Sequence, residues 1–292
     1  MTVAVAVGPR YEELSRDWPL LQPALAGVGL SASTARWSDP GIDWAAFDLV
    51  VAHGAWDNIH DPDGFGRWVD RVARETKLVN SQRILHWNQD KRYLDALARA
   101  GVPTVPTAWI ESRGPLVDLP AGPFVVKPTI SGGGYLTARY HPEASAGDDA
   151  AAREHIDQLL GGGRVAMIQP YLDDIDQQGE TALIYLGGHY SHAIGKSSLL
   201  RPGEAAGEGL WRNEVITPGV EPTPAQRTTA ELALAAAERQ VGPATYARVD
   251  LVPLSDGSPA VLELELLDPA LFFDCHPPAA AAFAAVLARM LP

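Results

Sequence analysis

The chain is poor in cysteine and in positive charge, and it has no long hydrophobic run. Among its 292 residues the only cysteine is Cys275, which excludes an intramolecular disulfide and a cysteine-built zinc site. Lysine and arginine number 23 against 36 acidic residues, a net charge of −13. That balance argues against general binding to nucleic acid or to an anionic membrane, though it leaves room for a local basic pocket. No apolar stretch approaches the roughly 20 residues of a membrane span. The start, "MTVAVAVGPR", lacks a basic segment followed by a long apolar core, so no signal peptide is expected and a cytoplasmic protein is. There is no HExxH, no GxSxG and no Gly-Lys-Ser/Thr loop closure, and no convincing internal repeat. His189 and His192, three apart in a probable strand, point to opposite faces and form no metal set.

What the chain does have is an unusual pair of apolar runs. In "YARVDLVPLSDGSPAVLELELLDP", residues 246–269, two strand-like runs flank a Ser-Asp-Gly-Ser turn. Side chains alternate along a strand, so Arg248 and Asp250 share a face of the first run, as Glu263 and Glu265 do of the second. With Ser255–Ser258 as the loop and Leu254 facing Pro259, Asp250 lies opposite Glu263 and Arg248 opposite Glu265. Leu262, Leu264 and Leu266 then line the opposite, apolar face. Opposed carboxylates repel by roughly 1 kcal/mol in water and about 4 kcal/mol near a protein surface. A solvated sheet face would tolerate charge, but a direct acid–acid pair sharing one arginine calls for a cation. Mg²⁺ with a phosphate-bearing partner resolves the conflict.

The first 85 residues read as a small doubly wound unit. "TVAVAV", "SASTARW", "FDLVVAHG" and "KLVNS" read as strands, and "WPLLQPALAGVG" and residues 64–76 as helices, an alternation that implies a parallel sheet. Gly27-Val-Gly29-Leu-Ser-Ala32 matches GxGxxA, but it closes a helix instead of opening one and is rejected as a dinucleotide fingerprint.

Further along, "HWNQDKRYLDALARAGVPTVPT" predicts a helix with Asn88 as N-cap, Lys91 in its first turns and Gly101 at its end. A cation there is disfavoured by the helix dipole, and it makes sense if it helps hold an anion. "FVVKPTISGGGYLTARY" places Lys127 at the end of a strand, ahead of a loop of Gly132, Gly133 and Gly134 able to approach a phosphate closely. The bland alternatives are a snorkelling lysine and a flexible hairpin tip. "VAMIQPYLDDIDQQGETALIYLGGHYSHAIGK" reads as two strands around an acidic loop of Asp173, Asp174, Asp176 and Glu180, with Pro170 interrupting the first and Lys196 ending the second. Residues 201–214, "RPGEAAGEGLWRNE", read as a lid or as a surface loop.

The ordered set "NQDKRYL", "VVKP", "SGGGYL", "IQPYL", "GETALIYLGGHYSHAIGK", "YARVDLV" and "LELELLDPALFF" resembles the ATP-grasp superfamily in its glutathione-synthetase-like branch, over about residues 86–275. It resembles in particular the cyclo-ligases of cycloserine biosynthesis that close O-ureido-D-serine. Those often carry Arg-Ser-Thr-Trp-Asp-Tyr after the third strand, where this chain has His53-Gly54-Ala55-Trp56-Asp57-Asn58. The resemblance implies an α/β (α+β ATP-grasp) fold. A parallel α/β pre-ATP-grasp domain over 1–85 would precede an ATP-grasp domain over 86–292, with a lid subdomain at about 104–170 and a C-terminal antiparallel sheet.

The same resemblance implies roles. Lys91 and Lys127 would contact ATP phosphates, together with the loop Gly132, Gly133 and Gly134. Gln169, Pro170, Tyr171 and Leu172 would hold adenine through backbone groups, and Asp176 would meet the ribose. Lys196 would reach the transferred phosphate, Arg248 would stabilise the reacting oxyanion, and Asp250, Glu263 and Glu265 would bind Mg²⁺ or Mn²⁺. The implied activity is ADP-forming ligation: ATP activates a small-molecule carboxylate as an acyl phosphate, which an amine or other nucleophile attacks, by cyclisation or peptide-bond formation in secondary metabolism. The expected partners are small-molecule carboxylates and amines, with no nucleic acid and no membrane; a homodimer is compatible. The alternatives are an amino-acid ligase acting on a protein or peptide tail, and a nucleotide-binding protein without catalysis.

Overall fold

The computed structural model describes residues 1–113, 118–143, 147–200 and 214–292. It opens with β1 (Thr2–Val7), α1 (Tyr11–Leu14), α2 (Trp18–Gly27), β2 (Ser31–Arg36), β3 (Leu49–Ala52), α3 (Pro62–Glu75) and β4 (Leu78–Val79). The four strands form one parallel sheet in the order β2-β1-β3-β4. β1, β3 and β4 are apolar on both faces because both are covered, whereas the edge strand β2, Ser31–Arg36, is largely polar and exposed. Ala4, Ala6, Val50 and Ala52 pack with Trp44, Phe65, Trp68 and Val72 on the α3 side. Val3, Leu49 and Val51 pack with Leu21 and Leu25 of α2 on the other. α2 stops as expected: Gly29, at φ 78°, donates to Ala26, and Leu30 donates to Leu25.

Next come α4 (Gln82–Gln89), α5 (Tyr93–Arg99), β5 (Ala108–Ile110), β6 (Phe124–Pro128), β7 (Ala138–Tyr140), α6 (Asp148–Gly161) and β8 (Ala166–Pro170). The strands form an antiparallel sheet, β5-β8-β6-β7, with Ala152, Ile156 and Leu159 of α6 packed on Phe124, Val126 and Ile168. After α7 (Ile175–Gln178) follow β9 (Glu180–Leu186), β10 (His189–Lys196), β11 (Ile216–Thr217), α8 (Pro224–Val241), β12 (Tyr246–Pro253), β13 (Pro259–Glu265) and α9 (Pro278–Arg289). Here β11-β10-β9-β12-β13 make a second antiparallel sheet. The alanines of α8 (Ala230, Ala233, Ala236 and Ala237) lie against Leu183, Val249, Leu251 and Leu264. The Ala-rich C-terminal helix, α9, packs Phe283 and Leu287 in the same core as Val3 and Leu49, so the end of the chain returns to the first sheet. No helix among the described residues is long and apolar enough to cross a membrane.

Three local expectations are corrected. Asn88 does not cap a helix; it is a buried residue inside α4, and the chain breaks before α5, leaving Lys91 in the break. Its side chain is used elsewhere: Nδ2 donates to the Leu264 carbonyl, and Oδ1 accepts the N–H groups of Leu266 and Leu267. The stretch 165–196 holds three strands, because Gly187 and Gly188 turn the second apolar run into a hairpin. Finally, Val261 and Leu262 exchange faces, for a reason given below.

Candidate active site

The β12/β13 hairpin pairs Arg248 with Glu265 and Asp250 with Glu263, as counted from sequence, but by a different route. The turn is one residue longer, so Pro253 rather than Leu254 faces Pro259, and the Leu254 N–H donates to Ser258. A bulge between Asp250 and Leu251 restores the count, because two residues of one strand then oppose one of the other. The bulge swings Val261 into the α8 core with Leu264 and Leu266. Leu262 instead joins Val105, Ile175 and Val252 beside the cleft.

Basic side chains meet these carboxylates. Arg248 grips Asp250 with Nε on Oδ1 at 2.8 Å and Nη2 on Oδ2 at 3.0 Å, and it also bonds Glu265. Lys196 Nζ lies 3.0 Å from Asp250 Oδ2, 2.8 Å from Glu180 Oε2 and 3.6 Å from Glu214 Oε1. Burial alone would raise the Asp250 pKa, but Arg248 and Lys196 overcome it and hold it at about 2. Burial also pulls Lys196 down, yet Asp250 and Glu180 leave it well above its usual value. Glu265 goes the other way: burial, with Glu263 and Asp250 adding to it against Arg248, pushes it up to about 7.

Lys91 Nζ bonds the carbonyl and the hydroxyl of Ser131 and lies 3.1 Å from Glu263 Oε1. Lys127, on β6, has no ion pair among the described residues. Burial lowers its pKa to about 8, Lys91 and Lys196 push the same way, and Glu263 and Glu180 oppose them. The β6–β7 turn carries Gly133 and Gly134 at φ 57° and 78°, conformations open to glycine. At the end of β8 the Tyr171 N–H is taken by the Pro123 carbonyl, and the Gln169 amide donates to Thr107. Arg139 of β7 lies 3.4 Å over the Tyr171 ring.

Between the parallel sheet and the two antiparallel ones lies a cleft of about 920 Å³. Lys91, Lys127, Gly132, Gly133, Gly134, Gln169, Pro170, Tyr171, Leu172, Lys196, Arg248, Glu263 and Glu265 all line it. Two expected residues do not. Asp250, 2% exposed, lies behind Arg248 and Lys196. Asp176 is turned to Arg139 at 2.9 Å and to the Tyr171 hydroxyl, while Glu180 reaches the cleft in its place. Glu214 was not singled out from sequence, and no motif marks it. It lines the cleft with Oε1 buried and without a hydrogen bond, its pKa raised first by burial and then by Glu180. Trp211 and Arg212, in the stretch read as a lid, lie outside the described residues.

The residues present fit a hard divalent ion only in part. Mg²⁺ is usually held by one or two carboxylates plus substrate phosphates, and Glu263 and Glu265 are such a pair on the cleft wall. Glu265 is raised first by burial, with Glu263 and Asp250 adding to it. Among the described residues no three acidic, His or Cys side chains are arranged to hold an ion, because Asp250 is taken by Arg248 and Lys196.

The chain is similar in sequence and in fold to known proteins. The family described as the N-terminal domain of D-cycloserine synthetase DcsG matches residues 3–80. Over 287 residues the chain is 35% identical to the cycloserine biosynthesis protein DcsG of Streptomyces lavendulae, covering 94% of each. It superposes on the crystal structure of D-cycloserine synthetase DcsG with a TM-score of 0.90 at 32% identity, over 100% of both chains. The ATP-grasp ligase PsnB, solved with a precursor variant, Mg and ADP, aligns at a TM-score of 0.60 and 14% identity over 98% of this chain and 97% of that one, a likeness of fold.

Proposed function

The chain belongs to the D-cycloserine synthetase DcsG family, and we propose that it is an ATP-dependent, ADP-forming ligase that activates a small-molecule carboxylate as an acyl phosphate. The observation that carries this reading is the meeting of Lys91, Lys127, Lys196 and Arg248 with the cleft-facing Glu263 and Glu265 in one cavity. The hinge Gln169–Leu172 would receive adenine, with Tyr171's own N–H already given to Pro123. Glu180, rather than Asp176, would accept from the ribose hydroxyls, since it faces the cleft. The three lysines would neutralise the phosphates. Mg²⁺ held by Glu263 and Glu265 would supply positive charge to the phosphate oxygens. Residues 1–85 would then wall the acyl-substrate end through Trp56, Asp57 and Asn58, and 104–170 would form the lid of the 86–292 domain.

The chemistry is mostly positioning and electrostatics. A substrate carboxylate oxygen attacks the γ-phosphorus and ADP leaves; the nucleophile then adds to the acyl carbon, phosphate leaves, and Arg248 would offset the negative charge on the carbonyl oxygen. An ADP-release assay across D- and L-amino acids and O-ureido-D-serine tests the reading. ADP and phosphate are expected from the accepted substrate. AMP and pyrophosphate, or no turnover anywhere in the panel, would overturn it.

A further inference from the structure

The segment that follows β13 carries a conformational outlier at the cleft wall. Phe272 has φ 53°, in the left-handed region that bulky side chains seldom occupy. Its ring lines the cleft, and the Arg248 guanidinium carbon lies 5.7 Å from the ring centre. Glycine at 272 would serve a mere reversal of the chain without strain. A phenylalanine held there marks a place where the surroundings over-determine the backbone.

What holds it comes from the far end of the sequence. Asp17 occupies the N-cap position of α2, yet its carboxylate does not cap that helix. Ser15 Oγ accepts the Trp18 N–H instead, at 3.1 Å. Asp17 Oδ2 accepts the Leu271 N–H and Oδ1 the Phe273 N–H, each at 2.7 Å, so one carboxylate grips the amides on both sides of Phe272. His53 Nε2 stands 3.3 Å from Oδ2, and both residues are buried. The same segment is held from two other strands: the Leu271 carbonyl contacts His192 Nε2 at 3.0 Å, and the Ala270 carbonyl accepts Arg248 Nη1 at 3.2 Å.

We propose that Asp17 is a positioning residue: by holding the two amides that bracket Phe272 it keeps that ring at the cleft wall beside Arg248, where the ring selects the acyl substrate by shape. This deepens the ligase reading and rests on it. The tether is tested directly with 4-fluorophenylalanine in place of Phe272 and fluorine NMR. One narrow, displaced resonance is expected, moving toward the free amino acid's value in the Asp17→Asn protein, because the amide's NH₂ cannot accept the second N–H. An unmoved resonance overturns the tether, whatever the reaction. On turnover, Asp17→Asn should raise KM for the substrate identified by the ADP-release panel about tenfold and leave KM for ATP within about twofold.

A cycle separates positioning from general loosening. In Phe272→Gly, glycine takes the left-handed conformation unaided. Asp17→Asn should then add nothing further to the acyl-substrate KM. Equal fold-changes in both backgrounds, or both KM values rising together, overturn the proposal. If Asp17→Asn does not fold, Phe272→Ala and Phe272→Gly carry the test, and an unaltered substrate profile in both overturns the role of the ring. If the resonance moves but the unsubstituted enzyme turns over no member of the panel, the ligase reading has failed. Selection of an acyl substrate falls with it, and the Asp17–Phe272 tether stands.

Discussion

Both oxygens of Asp250 are held by Arg248 two residues before it on the same strand, Nε at 2.8 Å from Oδ1 and Nη2 at 3.0 Å from Oδ2. Residues two apart on a strand share a face, so this pair forms within β12 itself. Lys196 then adds a third bond from β10. The three buried charges stabilise one another only as a set.

Removing Asp250 should therefore cost more than removing either cleft-facing glutamate. Asp250→Asn leaves Arg248 and Lys196 buried with their main counter-charge gone, a change that destabilises by about 3–5 kcal/mol. Glu263→Gln, at a partly exposed carboxylate whose buried partner Lys91 keeps both Ser131 acceptors, should cost less than Asp250→Asn. Urea unfolding of the two variants without ligand decides it. A loss under about 1 kcal/mol for Asp250→Asn would mean that the triad does not hold this sheet together.

Ionisation of Glu265 should cost the unliganded protein stability between mildly acid and neutral pH. Glu265 has a folded pKa of about 7 against an ordinary 4.5, so the folded state keeps its proton more tightly than the unfolded chain. That contribution is complete below the ordinary value and disappears as pH rises through the folded one. Asp268 is raised as well, by burial and then Glu265, and acts in the same direction. The depressed Asp250 titrates far below this window. His192, lowered to about 4 by burial, and His155, lowered likewise, act the other way over the same window, so the reading is differential: from pH 5 to pH 7.5 the urea midpoint of Glu265→Gln should move upward relative to that of the unsubstituted protein. Equal midpoint changes in the two proteins contradict the assignment.

Nucleotide affinity should weaken at alkaline pH through Lys127. Its pKa of about 8 means that the ammonium is lost on going to pH 9, and with it a positive charge for phosphate. The dissociation constant for ADP, measured by calorimetry at pH 7 and pH 9, should rise by up to about tenfold, the protonated fraction one unit above the pKa. Lys127→Arg, always charged, should bind with little dependence on pH. Equal pH profiles for the two proteins would sink this role.

Mg²⁺ and ATP should stabilise the fold together. Ligand at a hundred times its dissociation constant adds about 2.7 kcal/mol. In a thermal-shift titration EDTA should remove much of that gain, and Glu263→Gln should reduce the part that depends on Mg²⁺. No stabilisation at millimolar Mg-ATP would count against a nucleotide site here.

The parallel sheet was legible because "TVAVAV" and "LVVA" are apolar on both faces, and the charge pairs of β12 and β13 were legible because alternation fixes them. The register came out right through two departures that cancel, a longer turn and a bulge, and no periodicity shows a bulge in advance. Asn88 looked like a cap because Asn favours caps; its long-range bonds to β13 outweighed that local preference. That Glu180 and not Asp176 lines the cleft turns on Arg139 of β7 and the Tyr171 hydroxyl, which draw the Asp176 carboxylate of α7 aside, a contact that strand and helix patterns do not show. Asp17 was invisible for the same reason, since its partners stand more than two hundred residues away. The resemblance to cycloserine-pathway ligases rested on ordered motifs, and the 35% identity to DcsG bears it out.

Lys91 carries three ammonium hydrogens, and three acceptors already surround them: the Ser131 carbonyl, the Ser131 hydroxyl and Glu263. A phosphate arriving at this lysine therefore enters by exchange. It must take a hydrogen from Glu263, freeing that carboxylate for a cation, or from Ser131, loosening the turn that leads into the glycine loop. The strength of nucleotide binding at Lys91 is in consequence a difference between two bond sets, and weakening the resident set, as Ser131→Ala would, should tighten binding rather than impair it.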